Sequence, residues 1–259
     1  MQIGQNLCAV CKNSMSRFFV PKENISEKDI TVTGEDVVHI SKVLRAKKGD
    51  ILTFFDGRGN DYQTEISDIS KNAVLCKILN KTKSETEPNI KVTLIQGVPK
   101  AAKMDYIIQK TTELGICDIF PCSLNRCVSK IEGEKKIIRW QKIAKEAAQQ
   151  SGRGIIPKIH SEIDLKGAAE ILSDADISFV PYECEDKTTI KSALLSKKEP
   201  KTVAFLIGPE GGFEQSEIEF LKNNGISTVS LGKRILRTET AGEAVLSMIM
   251  YEIGDVNGI

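Results

Sequence analysis

The run Val203-Ala204-Phe205-Leu206-Ile207 leads without interruption into Gly208-Pro209-Glu210-Gly211-Gly212. A strand with one wet face alternates polar and apolar residues. An unbroken apolar run bounded by glycines fits a strand covered on both faces, the condition of a parallel sheet packed between helices. Such a sheet requires strands and helices to alternate along the chain, and the sequence after residue 88 does so. Strand-like runs at 92–96, 116–120, 177–181 and 228–231 alternate with helical patterns at 101–114, 134–150, 165–172, 188–196, 214–223 and 241–253. In 101–114, Met104, Ile107, Ile108, Thr111 and Leu114 share one face, and Gly115 is placed to end the helix. These residues predict an α/β domain with a mostly parallel sheet.

The preceding segment has a different texture. Short strand-like runs at 17–20, 30–33, 51–55, 62–69 and 73–79, with a short helical stretch at 36–44, predict a small β-barrel. Asp56-Gly57-Arg58-Gly59-Asn60 supplies residues that tolerate a hairpin turn. The polar run 81–88, ending at Pro88, reads as a linker. The expected organisation is an extension or tag at 1–14, a barrel at 15–80, the linker at 81–88 and the α/β domain at 89–259. A chain of 259 residues, 41% hydrophobic, can build two such cores.

With 36 Lys and Arg against 35 Asp and Glu, the net charge is +1, so a partner must be sought in local clusters. Lys42, Arg45, Lys47 and Lys48 form one cluster, and Lys135, Arg139 and Lys142 share a face of the helix expected at 134–150. No apolar stretch is long enough to span a bilayer and residues 1–14 lack the pattern of a signal peptide. Seven cysteines, an odd number, argue against a disulfide framework, and the expectation is a cytoplasmic protein. The Cys8/Cys11 pair has no second pair at zinc-like spacing, and Cys117, Cys122 and Cys127 fit small thiols around a strand. With two histidines and no standard ligand spacing, no metal is expected.

GxxxxGK[ST], GxGxxG after an early strand, HExxH and GxSxG are all absent. What remains is the loop 208–212 and a second glycine-bearing segment, Gly232-Lys233-Arg234-Ile235-Leu236-Arg237-Thr238-Glu239-Thr240-Ala241. The first loop alone serves equally as a tight turn or a ligand site. Two such loops after neighbouring strands would converge on one crevice, which favours a ligand. Thr238 and Thr240 are placed to cap the last helix.

Together, Gly208-Pro209-Glu210-Gly211-Gly212-Phe213 and Leu231-Gly232-Lys233-Arg234-Ile235-Leu236-Arg237-Thr238-Glu239-Thr240-Ala241 resemble the RsmE family of 16S rRNA (uracil-N3) methyltransferases, within the SPOUT superfamily. Arg17-Phe18-Phe19-Val20, Lys42-Val43-Leu44-Arg45, Pro99-Lys100, Gln109-Lys110-Thr111-Thr112-Glu113-Leu114-Gly115 and Glu146-Ala147-Ala148-Gln149-Gln150-Ser151-Gly152-Arg153 agree with it. The chain departs at Val38-His39, where the family often has two adjacent histidines.

The resemblance implies a PUA-like barrel for RNA, an α/β domain with a deep trefoil knot, a homodimer, S-adenosylmethionine as methyl donor and 16S rRNA of the small ribosomal subunit as partner. The donor is then expected at Leu206, Ile207, Gly208, Pro209, Glu210, Gly211, Gly212, Leu231, Gly232, Ile235, Leu236, Arg237, Thr238, Thr240 and Ala241. Arg237 is the expected catalytic cation, stabilising an anionic uracil through its carbonyl oxygens. Glu239 is expected to orient Arg237 ahead of acting as a base, because an Arg beside a carboxylate makes it a weak base. Arg17, Lys42, Arg45, Lys100, Arg126 and Arg153 are the expected RNA contacts. Rival readings are a related enzyme with another rRNA or tRNA target and a non-catalytic ribosome-assembly factor.

Overall fold

The computed structural model describes residues 17–100, 102–129 and 133–256. The expected extension at 1–14 and the Cys8/Cys11 pair lie outside them. The chain divides into two compact units: one up to Glu87 that also takes in Gly152–Ile155, and one made of Pro88–Ser151 and the chain from Ile156 on.

In the first unit, β1 (Arg17–Phe19), β2 (Asp29–Thr33), β3 (Ile51–Phe55), β4 (Asn60–Ile69) and β5 (Ala73–Lys83) form one sheet in the order β1-β3-β4-β5-β2. β1 lies parallel to β3 and the other pairs are antiparallel. The edge strands supply Phe18, Ile30 and Val32 to the core that Leu52, Phe54, Tyr62, Ile66 and Val74 supply from the middle, so the sheet curls over one core. Register shifts between β4 and β5 at Gln63/Thr64 and Ile66/Asp68 give the local bend that curling needs. The helical stretch between β2 and β3 is one α-turn, α1 (Glu35–Val38), continued as a wider π-type turn over His39–Val43. The β3–β4 hairpin is held by Asp56, whose carboxylate accepts from the Arg58 and Asn60 N–H groups, the Asn60 amide and the Tyr62 hydroxyl. Burial opposes ionisation of Asp56, but these donors outweigh it and keep its carboxyl below the ordinary range.

The expected linker at 81–88 is corrected. β5 continues to Lys83, pairing Lys81 with Tyr62 and Lys83 with Asn60. Its polar composition reflects a strand end whose side chains all face solvent. Beyond it, the Ser84 N–H donates to Gly59 O and the Thr86 hydroxyl to Gly152 O. The Glu87 carboxylate accepts from the Gly154 and Ile155 N–H groups at 2.7 and 2.9 Å and pairs with the Arg153 guanidinium at 2.7 Å. These bonds place Gly152–Ile155 with the first unit, although the chain on either side belongs to the second.

The second unit comprises β6 (Lys91–Gly97), α2 (Lys103–Glu113), β7 (Asp118–Cys122), α3 (Glu134–Gln150), β8 (Lys158–Ile159), α4 (Leu165–Asp174), β9 (Ile177–Pro181), α5 (Ile190–Leu194), β10 (Thr202–Ile207), α6 (Gln215–Asn223), β11 (Ser227–Val229) and α7 (Thr238–Glu252). The sheet order is β11-β9-β10-β6-β7-β8, and every pairing is parallel. The apolar run of β10 is buried on both faces, as its sequence requires. Phe205 lies in one core cluster with Leu94, Phe179, Met104 and Val245, and Leu206 lies in another with Ile95, Val180, Ala168 and Leu221. α2 and α3 are joined by Asp105, which takes both Arg139 guanidinium nitrogens at 2.7 Å and the Trp140 indole N–H at 2.9 Å. The expected basic face of α3 is therefore partly neutralised: Arg139 is paired with Asp105, and Lys142 lies 3.8 Å from Glu146.

Arg153 is 3% exposed, and its ion pair with Glu87 is shielded from water. Removing one partner of such a pair strands the other charge, at a cost of about 3–5 kcal/mol. Arg153→Met should lower the urea midpoint of the first unit accordingly, and adding Glu87→Gln should recover part of the loss; an unchanged midpoint in Arg153→Met would refute the assignment.

Candidate functional site

A cavity of about 780 Å³ opens where β9, β10 and β11 end. Three loops wall it: Pro181 to Asp186 after β9, Ile207 to Phe213 after β10, and Ser230 through Arg237 into α7 after β11, with Lys103 from the start of α2 at its rim. Parallel strands deliver their connections to one edge, where ligands of α/β sheets usually bind. The expectation that the two glycine loops follow neighbouring strands is corrected, because β9 lies between β10 and β11. The strands that carry the loops are separated by one strand in the sheet, and the loop of that strand, β9, also lines the cavity.

Of the residues expected to bind a donor, Ile207, Gly208, Pro209, Glu210, Gly211, Gly212, Leu231, Gly232, Ile235, Leu236, Arg237, Thr238 and Ala241 line this cavity. Leu206 does not. It is fully buried on the opposite face of β10, as strand alternation dictates. Thr240 is exposed and outside the lining. The capping expectation is corrected too: Arg237 takes the N-cap position with no side-chain cap. Thr238 points inward instead. Its hydroxyl donates to Gly208 O at 2.7 Å and accepts from the Gln96 amide at 2.9 Å. Gln96 is fully buried at the end of β6 and also donates to Gly97 O. This relay joins three segments of the site. At Gly97, an added Cβ would lie 2.7 Å from Pro209 Cδ and 2.8 Å from Pro209 N, so glycine is what lets the loop after β10 cross so close.

Charge is distributed unevenly around the opening. Arg237 is exposed and has no ionic partner among the described residues. Glu239 does not pair with Arg237 as expected. Its carboxylate lies 3.3 Å from the Lys103 ammonium, which also lies 3.0 Å from Glu210. Hydrogen bonding to Glu210 is the main cause that holds the Lys103 ammonium above its ordinary pKa. Burial opposes ionisation of Glu210, but its own N–H, the Lys103 ammonium and the Lys100 N–H together keep its carboxyl below the usual range. On the β9 loop, the Thr228 hydroxyl donates to Glu185, and this bond with the Lys187 and Thr188 N–H groups lowers the Glu185 carboxyl to about 2. Sequence reasoning missed Lys103, Gln96 and the β9 wall. The one signal available was a glutamine ending an otherwise apolar strand.

The expected RNA contacts divide in two. Arg17 and Arg153 are withdrawn, because both guanidinium groups are engaged inside the first unit. Arg17 pairs with Asp61, donates to Gly152 O and Arg153 O, and lies 4.5 Å from the Phe55 ring centroid. Lys42 and Arg45 are exposed on the turn after α1, where Arg45 has a left-handed φ of 53°. In the second unit Lys100 is exposed, while Arg126 donates to Gly211 O at 2.9 Å and braces the loop after β10.

Residues 86–250 match the RNA methyltransferase domain family, and residues 32–79 match the RNA methyltransferase PUA domain family. Fold and site thus define an RNA methyltransferase with a PUA domain. The ribosomal RNA small subunit methyltransferase E of Bacillus subtilis is 38% identical over 249 residues, covering 92% of this chain and 97% of that protein. A methyltransferase from Legionella pneumophila, solved in complex with its cofactor SAM, shares 31% identity at a TM-score of 0.81, over 93% of this chain and 99% of that one. The ribosomal RNA small subunit methyltransferase E of Neisseria gonorrhoeae, bound to S-adenosyl methionine, shares 30% identity at a TM-score of 0.80 with the same coverage. The chain belongs to the ribosomal RNA small subunit methyltransferase E family.

The Thr238 hydroxyl supports two bonds that a methyl group cannot make. Thr238→Val, close in shape, should destabilise the second unit by about 1–3 kcal/mol by stranding Gly208 O and the Gln96 amide. Urea denaturation checks this, and a shift below about 0.5 kcal/mol would show that the relay carries no stability.

Proposed function

We propose that this protein transfers a methyl group from S-adenosylmethionine to N3 of a uridine in 16S rRNA of the small ribosomal subunit, working in the cytoplasm. The observation that carries the reading is the cavity at three parallel strand ends, with glycine-bearing loops on two sides and an unpaired Arg237 at its mouth. The cavity fits the donor. Ile207, Leu236 and Ala241 offer apolar surface for an adenosine. At Gly232 φ is +95° with open space where a Cβ would stand, so backbone there can approach a ligand. Acidic groups at Glu183 and Asp186 and basic groups at Lys233 and Arg234 suit a donor that carries both signs of charge.

The donor, when bound, supplies a methyl group already activated on a sulfonium sulfur. The protein's task is to position the acceptor and to make its nitrogen nucleophilic. Uridine N3 carries a proton in the neutral base and becomes a good nucleophile only as that proton leaves. Arg237 stabilises the resulting anionic ring through its carbonyl oxygens. Glu239 acts indirectly, through Lys103. Lys42 and Arg45 in the first unit and Lys100 in the second meet RNA phosphates.

We also read a trefoil knot in the second unit. In support, β11 ends at the sheet edge, whereas α7 packs over β6 and β10 on the far side of β9. The chain entering α7 must therefore cross the loop after β10, to which Thr238 is bonded. A homodimer is favoured by α7 and α2. Val245, Leu246 and Ile249 are buried inside the unit, while Met248, Tyr251 and Tyr106 stay exposed, leaving a second apolar face.

Mass spectrometry of 16S rRNA from cells with and without the gene tests the reading. 3-Methyluridine should be present only with the protein. Its persistence without the gene would overturn the proposal, and loss of a different modification would favour the related-target reading. In vitro, Arg237→Ala should lower turnover on unmodified small subunits by about a hundredfold with folding retained.

A further inference from the structure

Lys103 opens α2 and lies at the rim of the cavity. Its ammonium is 3.0 Å from Glu210 Oε1, on the loop after β10, and 3.3 Å from Glu239 Oε2, in the first turn of α7. The Lys100 N–H reaches the same Glu210 oxygen at 3.1 Å. One cation therefore joins three segments, two of which, the loop after β10 and the chain entering α7, line the cavity. We propose that Lys103 is a positioning residue that sets the width of the donor cleft and keeps Arg237 unpaired, by holding the Glu210 and Glu239 carboxylates on one ammonium. The inference rests on the donor site proposed above.

The electrostatics give the reason. Two carboxylates converging on one point repel, and a single ammonium between them turns repulsion into a bridge. Without it Glu210 and Glu239 would repel and strain apart the loop after β10 and the start of α7, which the Thr238–Gly208 bond alone would then tie, and Glu239 would be free to swing to Arg237, two residues back in the chain. Both changes act on the reaction: the first widens the donor cleft, the second quenches the cation that the acceptor needs. Lysine suits the place because a compact ammonium on a flexible stem can serve two carboxylates at once, whereas a guanidinium favours one in a fixed fork. The remaining charged groups on the cavity are Glu183, Glu185 and Asp186 on the β9 loop and Lys233, Arg234 and Arg237 before α7. Glu185 is already held by Thr228. Among the described residues, none of the others has an ion pair with Lys103, Glu210 or Glu239.

The test is calorimetric binding of S-adenosylmethionine by the full chain, with turnover on unmodified small subunits measured alongside. Wild type should bind; if it does not, the donor reading itself falls. Given wild-type binding, Lys103→Met should weaken affinity about tenfold. Lys103→Arg, which keeps the charge but favours one carboxylate, should recover part of the loss seen in Lys103→Met, and Lys103→Met/Glu210→Gln should bind more tightly than Lys103→Met. Lys103→Gln repeats the measurement with a polar neutral side chain should Lys103→Met fold poorly. Wild-type affinity in the neutral variants, or a deficit that neither the arginine nor the second substitution changes, would overturn the proposal while leaving the donor site standing.

Discussion

All six strands of the second unit run in one direction, and the rest of the molecule's chemistry depends on that alignment. Parallel strands cannot be joined by tight hairpins, so each must return over a face of the sheet. The helices that make the return bury both faces, which is why β10 is apolar at consecutive positions rather than alternate ones. The same alignment puts every outgoing loop at one edge. β9, β10 and β11 therefore contribute adjacent walls to a single opening, although their loops are far apart in the chain.

Close approach at that edge places steric and polar demands on a few residues. Gly97 leaves room for Pro209, and Thr238 and Gln96 supply hydrogen bonds where the loop after β10 and the start of α7 come together away from water. A buried carbonyl such as Gly208 O is costly without a donor, and the Thr238 hydroxyl provides one. Gln96 keeps one buried side-chain oxygen without a hydrogen-bond partner, so the relay is not fully satisfied even in the folded chain. Polar groups placed there are costly and specific, and they fix the two loops relative to each other before any ligand arrives.

Much of this was legible in the sequence, and what was not has a common cause. The apolar run 203–207, the glycine loop after it and the helix periodicity with Met104, Ile107 and Ile108 are local signals, and each found its counterpart in the fold. Spatial order is not local. No residue of β9 announces that it separates β10 from β11, so the wall from Tyr182 to Asp186 was missed. Lys103 was missed for the same reason, since the bond from neighbouring Lys100 to Glu210 spans 110 residues. Arg17 and Arg153 were misjudged because an arginine is an exposed residue by default. Only the arrangement of Asp61, Glu87 and the Gly152 carbonyl shows that theirs are internal cations. The polar stretch 81–83 was mistaken for a linker because a fully exposed strand end and a loop have the same composition.

Near-neutral net charge acquires a different meaning once the ion pairs are drawn. Arg139, Lys142, Arg153, Arg17 and Lys103 each have an acidic partner within their own unit, so these five cations are neutralised internally. Lys42 and Arg45 on the first unit, and Lys100, Lys233, Arg234 and Arg237 on the second, are basic groups to which no ion pair is assigned. On the proposed reading, those of them that meet RNA would do so as individually placed cations, and fit to one structured site would supply the selectivity. In the second unit these cations gather beside the cavity, at the residues just before α7. On the proposed reading, the groups that would attract the acceptor and the group that would stabilise its anion are neighbours in one segment, and the ammonium of Lys103, by its contact with Glu239, would leave that segment's charge intact.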